Sequence, residues 1–126
     1  MRIAHLYPDL LNLYGDRGNI MCLQYRCRQR GIQVTVDEIS VGDPFDHTKY
    51  DLLFIGGGQD FEQEVLLEDL HRGKDEEIRR AVADGTVVLA ICGGYQMLGK
   101  YYQTYTGEGA GHTACVVNHL IYGDRQ

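Results

Sequence analysis

Thr86-Val87-Val88-Leu89-Ala90-Ile91-Cys92-Gly93-Gly94-Tyr95-Gln96-Met97-Leu98-Gly99 is the stretch that decides the fold. Its first six residues form an apolar, β-branched run, which is the composition of a strand buried on both faces. Cys92 follows that run at once, then two glycines, then a stretch of helical character. A strand that breaks into a helix through a cysteine and two glycines meets the steric demands of a nucleophile elbow, where the crowded turn pushes a side chain out of the sheet. The helix after Cys92 is expected to direct its N-terminal amides and positive dipole end at the sulfur, favouring thiolate. Acyl transfer also needs donors for the oxygen on which negative charge develops, and the amide after the nucleophile, Gly93, is the first candidate.

Moving towards the N-terminus, Asp51-Leu52-Leu53-Phe54-Ile55 is a second continuous apolar run, and it stops in Gly56-Gly57-Gly58. This pattern predicts a central parallel strand running into a loop beside the cysteine strand, so the amide of Gly58 is the candidate for the second oxyanion donor. Neither G-x-x-x-x-G-K-[ST] nor G-x-G-x-x-G occurs, which makes a nucleotide-phosphate cradle the weaker reading of these glycines. Between the two strands, Phe61, Val65, Leu66 and Leu70 fall on one helical stripe. A second helix from about Lys74 carries Ile78, Ala81 and Val82 and stops at Gly85.

Further out, Arg2 to Tyr7 reads as a short buried strand ended by Pro8, and a helix from Asp16 buries Ile20, Leu23 and Cys27 before Gly31. Arg26, Arg28 and Arg30 form its solvated face, and Asp16, Arg17 and Asn19 read as its cap. Ile32, Val34 and Val36 alternate as a half-buried strand does. Strands alternating with helices imply an α/β sheet, parallel at its centre. Past Tyr105 the pattern deteriorates: Gly107, Gly109 and Gly111 break any periodicity, and Cys115 to Tyr122 is the one further strand expected.

The 126 residues suffice for one core, and 44% hydrophobic with 24% charged residues is an ordinary globular composition. A net charge of −6 argues against a nucleic-acid partner, which binds through clustered Lys and Arg. Cys22, Cys27, Cys92 and Cys115 contain no C-x-x-C pair, and no signal-like segment opens the chain, so reduced thiols in a cytoplasm are expected. No apolar run approaches the roughly 20 residues of a membrane span.

Ile91-Cys92-Gly93-Gly94-Tyr95-Gln96-Met97-Leu98-Gly99 resembles the nucleophile motif of class I glutamine amidotransferases of the cobyric acid synthase group, and Ile55-Gly56-Gly57-Gly58-Gln59-Asp60 resembles their oxyanion loop. Leu11-Asn12-Leu13-Tyr14-Gly15-Asp16-Arg17-Gly18-Asn19-Ile20 is similar to the opening of the glutaminase subunits of lipid II isoglutaminyl synthases. The resemblance spans residues 1–106, read as the N-terminal part of the amidotransferase domain. It implies a flavodoxin-like three-layer sandwich around a mostly parallel sheet. It also implies hydrolysis of L-glutamine, with Cys92 as nucleophile and Gly58 and Gly93 forming the oxyanion hole. By the same resemblance, ammonia passes to a Mur-ligase-like partner that amidates the D-glutamate of lipid II. No cofactor or metal is implied in this chain, ATP and Mg being expected in the partner.

Residues 107–126 do not resemble the family's continuation, which carries a substrate-binding Arg and a catalytic His. His112 and His119 are the histidines after Cys92, and neither lies in a family motif, so no base is assigned. His5, His47 and His71 read as strand, loop and helix-surface residues. A sheet lacking its remaining strands is expected to leave an open edge and a chain prone to associate. Two other readings compete: the glutaminase domain of a cobyric acid synthase, disfavoured because a strand starts directly from Met1, and a flavodoxin-like binding module that keeps the elbow without a base.

Overall fold

The computed structural model describes residues 1–11, 16–57 and 63–98, and the backbone of 101–103 and 109–111. Strands β1 (Arg2–Leu6), β2 (Thr35–Ile39), β3 (Leu52–Ile55) and β4 (Val87–Ala90) form one sheet in the order β2-β1-β3-β4. All three pairings are parallel. Helix α1 (Asp16–Gln29) joins β1 to β2, and α2 (Gln63–Asp69) and α3 (Asp75–Ala83) lie between β3 and β4. After β4 come α4 (Gly93–Met97) and an antiparallel pair, β5 (Tyr101–Gln103) with β6 (Gly109–Gly111). That pair corrects the sequence reading, in which the glycines past residue 107 excluded a strand. A glycine weakens a strand, but antiparallel backbone pairing does not require side chains.

The apolar runs sort by the two-residue period of a strand. Ala4, Leu6, Leu53 and Ile55 face α2, α3 and α4, where Leu66, Leu70, Ile78, Ala81, Met97 and Leu98 complete the larger core. Ile3 and Phe54 face the other way and pack with Ile20, Leu23, Val34 and Val36 on the α1 side. Complete burial of each large aliphatic side chain contributes about 2 kcal/mol. On the edge strand β4 the rule holds on one face alone: Val88 and Ala90 pack into the larger core, while Val87 and Leu89 are exposed.

Three readings shift. The second strand spans Thr35–Ile39 rather than Ile32–Val36: the chain is still turning at Gly31 (φ 69°), and ladder pairing starts at Thr35 opposite Arg2. Val65 is exposed although it shares a stripe with Leu66 and Leu70, because α2 runs for seven residues and covers the sheet with one narrow face. Phe61, the other member of that stripe, lies outside the described residues. Between α2 and α3 the chain makes a widened turn, Leu70–Lys74, kinked at Arg72 and at Gly73 with φ 123°. L side chains rarely adopt that φ, so glycine there lets two helices replace one.

Candidate active site

The ladder between β3 and β4 continues one residue past the strand, with the Ile91 amide donating to the Ile55 carbonyl at 2.9 Å. At Cys92 the backbone leaves the sheet abruptly, with φ 50° and ψ −114°. A residue with a Cβ holds such a conformation at a cost of about 1–3 kcal/mol, and does so where the surrounding structure over-determines it. Here the determinants are visible: the Gly94 amide donates to the Ile91 carbonyl at 2.9 Å and the Gln96 amide to the Cys92 carbonyl at 3.0 Å, closing the turn straight into α4. The Cys92 thiol is free and exposed. Gly93 supplies the first amide of α4, a donor that a helix leaves without an intrahelical partner.

Gly94 explains the second glycine of the motif. A Cβ at this position would lie 2.5 Å from the Ile55 carbonyl oxygen, 2.6 Å from that of Gly56 and 2.7 Å from Ile55 Cγ2. The elbow is therefore pressed against the end of β3 and the start of its glycine loop, which places Gly56 in contact with the turn that carries Cys92. Gly56 and Gly57 are buried beside it. Gly58, the expected second oxyanion donor, lies outside the described residues, as do His112 and His119.

A concavity of about 340 Å³ lies between α1 and strands β1 and β2, lined by His5, Arg17, Gln24 and Glu38 among others. None of its lining residues belongs to the elbow, and α4 packs on the opposite face of the sheet, so this groove is separate from the elbow. Arg17 and Asn19 stand in the first turn of α1.

Two buried polar networks escaped the sequence reading. At the C-terminal edge of the sheet, Asp69 accepts hydrogen bonds from Tyr7, Lys74 and the amide of Gly42. At the N-terminal edge, His47 is buried in a short 3-10 turn (His47–Lys49) rather than in an open loop. Its Nδ1 meets Glu77 and its Nε2 meets Asp84, each at 2.7 Å. Hydrogen bonds to Asp84 and then Glu77 hold the imidazole above its ordinary pKa of 6.5, and His47's backbone and ring in turn hold Glu77 below the usual carboxylate range. Asp46, His47 and Glu77 together carry a metal-like donor set. The 2.7 Å contact is a hydrogen-bond distance, however, shorter than the roughly 3.3 Å that two ligands of one tetrahedral zinc keep. His47 with Glu77 and Asp84 is an ion-pair clamp, and Asp46 caps the turn by accepting from Thr48.

Comparison with known proteins places the whole chain rather than the elbow alone. Residues 2–120 match the CobB/CobQ-like glutamine amidotransferase domain, a match that runs beyond residue 106. The chain is 47% identical over 131 aligned residues to the glutamine-hydrolysing lipid II isoglutaminyl synthase subunit GatD of Streptococcus pneumoniae strain R6, covering 98% of this chain and 50% of that protein. It is 43% identical to GatD of Staphylococcus aureus strain N315, over 88% of this chain and 46% of that one. The chain thus spans about half the length of these curated relatives. Among solved structures, a proposed peptidase E of Listeria monocytogenes EGD-e shares the α/β fold, with a TM-score of 0.55 and 18% identity over 79% of this chain and 50% of that one.

Proposed function

The chain belongs to the CobB/CobQ-like glutamine amidotransferase family, and on that premise we propose that it is the part of a glutaminase subunit that carries the nucleophile. The observation behind this reading is the backbone of Cys92, forced out of the sheet at φ 50° and braced by Gly94 against Ile55 and Gly56. The sulfur attacks the side-chain carbonyl carbon of L-glutamine. A C–S bond forms, negative charge moves to the carbonyl oxygen, and the amides of Gly93 and Gly58 stabilise it. Collapse breaks the C–N bond and the nitrogen leaves as ammonia, taking the proton that the thiol gave up. Water then cleaves the thioester to glutamate and restores the thiol.

Following the family resemblance, the ammonia serves an ATP- and Mg-dependent Mur-ligase-like partner that amidates the D-glutamate of lipid II, the substrate that the relatives' names carry, and on this reading the chain itself needs no cofactor. A bacterial cytoplasmic location suits that role. The free thiols of Cys22, Cys27 and Cys92 are in keeping with it, as is the lack, among the described residues, of a helix long and apolar enough to cross a membrane. The test is covalent capture: a chloromethyl ketone bearing the glutamine side chain should modify Cys92, and excess L-glutamine should protect it while D-glutamine does not. Equal labelling of Cys92 by simple chloroacetone, with no protection by L-glutamine, would overturn the reading.

A further inference from the structure

Helix α1 buries one face and turns a basic one outward. Residues 17–36 hold four Arg and no Asp or Glu, in a chain with 18 acidic residues. Ile20 and Leu23 pack on the sheet, while Tyr25, Arg26, Arg28 and Arg30 are exposed around the helix end. That end is closed by backbone bonds: the Gly31 amide donates to the Arg28 carbonyl at 3.0 Å and the Ile32 amide to the Cys27 carbonyl at 2.9 Å, with Gly31 at φ 69°. An apolar residue in the position of Ile32 commonly folds back onto the helix it follows. Ile32 instead stays 45% exposed, and Tyr25 62%. Arg28 and Ile32 line an open cleft of about 530 Å³ that reaches Val34 and Thr35.

Helix stability does not account for this face. A cation near a helix C-terminus meets the negative end of the dipole, which explains Arg26 and Arg28 but neither Tyr25 nor Ile32. The arginines also differ in their partners. Arg2, Arg72, Arg79 and Arg80 each pair with a carboxylate. Among the described residues no carboxylate pairs with Arg26, Arg28 or Arg30, and Arg30 donates instead to the Arg26 carbonyl at 3.2 Å. A second copy docked α1 to α1 would set these cations against one another. Cations unrelieved by any acid, beside one aromatic and one aliphatic side chain, suit a surface that is uniformly anionic outside and apolar just beneath. An anionic lipid leaflet has that profile: Arg reaches headgroup phosphates, Tyr sits at the interface and an aliphatic side chain enters the acyl boundary.

We propose that Tyr25, Arg26, Arg28, Arg30 and Ile32 form a peripheral docking face for an anionic phospholipid leaflet, which the protein touches without crossing. Helix α1 ends where β2 begins, at the sheet edge opposite the one from which Cys92 projects, so the contact leaves the elbow clear. The proposal rests on the amidotransferase reading only in choosing a leaflet among anionic surfaces, because the acceptor on that reading is lipid-linked.

The experiment is co-sedimentation of the 126-residue chain with vesicles of phosphatidylglycerol mixed with phosphatidylcholine, or of phosphatidylcholine alone. Binding is expected to the mixed vesicles at low salt, to vanish in about 0.5 M NaCl, and to be absent from phosphatidylcholine. Each Arg near an anionic leaflet strengthens binding about fivefold, so Arg26→Gln with Arg28→Gln should cut the partition about twentyfold. Arg79→Gln with Arg80→Gln removes the same net charge from carboxylate-paired residues on α3 and should leave the partition within about twofold. Equal loss in the two double variants would mean that net charge alone governs binding, and overturns the proposal. Absence of binding to the mixed vesicles overturns it too, as does preference for a single-stranded oligonucleotide over them. Sedimentation needs no thiol, so vesicle binding without protection of Cys92 by L-glutamine would sink the amidotransferase reading and uphold the docking face.

Discussion

The two edges of the sheet are built on opposite terms. At the C-terminal edge, two residues that carry side chains, Tyr7 and Cys92, sit at positive φ directly beyond β1 and just past β4. At the N-terminal edge, His47 lies in a 3-10 turn capped in ordinary fashion by Asp46, and its clamp on Glu77 and Asp84 joins ends that already lie close. Both edges bury polar groups and satisfy them, but backbone strain collects where the thiol projects. Strain of this kind persists only under surrounding constraint, so the C-terminal edge should respond to mutation through shape and the N-terminal edge through charge.

The largest effect should come from Gly94. Gly94→Ala places a methyl group within 2.7 Å of two backbone oxygens and Ile55 Cγ2, so a loss of about 3 kcal/mol or more is expected in urea unfolding, enough to threaten folding outright. A near-neutral result would mean that the elbow does not bear on Ile55 and Gly56, and the contrast between edges would lose its steric half. Next is a reversal of the usual rule. Cys92→Gly should melt higher than Cys92→Ala by about 1–3 kcal/mol, because glycine adopts φ 50° without strain. Equal melting would remove the claim that strain is stored there.

At the other edge the readout is pH. The raised pKa of His47 means that its contribution is complete below 6.5 and is lost as pH climbs through the folded-state value, while the lowered pKa of Glu77 makes its share present above 4.5 and lost on acidification. The stability gap between wild type and His47→Gln should thus be widest near pH 5.5 and narrower at pH 8.5. A change on the order of 1 kcal/mol is expected, kept small because Asp84 is 65% exposed and screened. A pH-independent gap would show that His47 acts by packing alone. Smallest of all, Val87→Thr on the open face of β4 should shift stability by less than about 0.5 kcal/mol in this chain.

What could be read from sequence followed how local its cause was. β1 and β3 announce themselves because residues buried on both faces leave continuous apolar runs, β4 leaves such a run although Val87 and Leu89 are exposed, and the elbow announces itself because its steric demand falls on consecutive residues, Cys92 to Gly94. β2 was displaced because Ile32, Val34 and Val36 keep their alternation whether or not the first of them is paired. His47 looked like a loop residue because its partners, Glu77 and Asp84, stand 30 and 37 positions away. Asp69 carried no signal of its own, because nothing near it in sequence pointed to Tyr7, 62 residues earlier. Networks joined by such distant residues leave no spacing signature, whereas strands and turns do.

The contact of Gly94 with Ile55 and Gly56 also has a consequence in time. These partners arrive from opposite ends of the β3-to-β4 crossover, so the turn that lifts Cys92 out of the sheet has nothing to brace against until both helices of that crossover have docked and β4 has paired. Before then Cys92 belongs to an unbraced stretch of chain. The elbow geometry is a late product of folding, and an unfinished or locally opened copy of the protein lacks it.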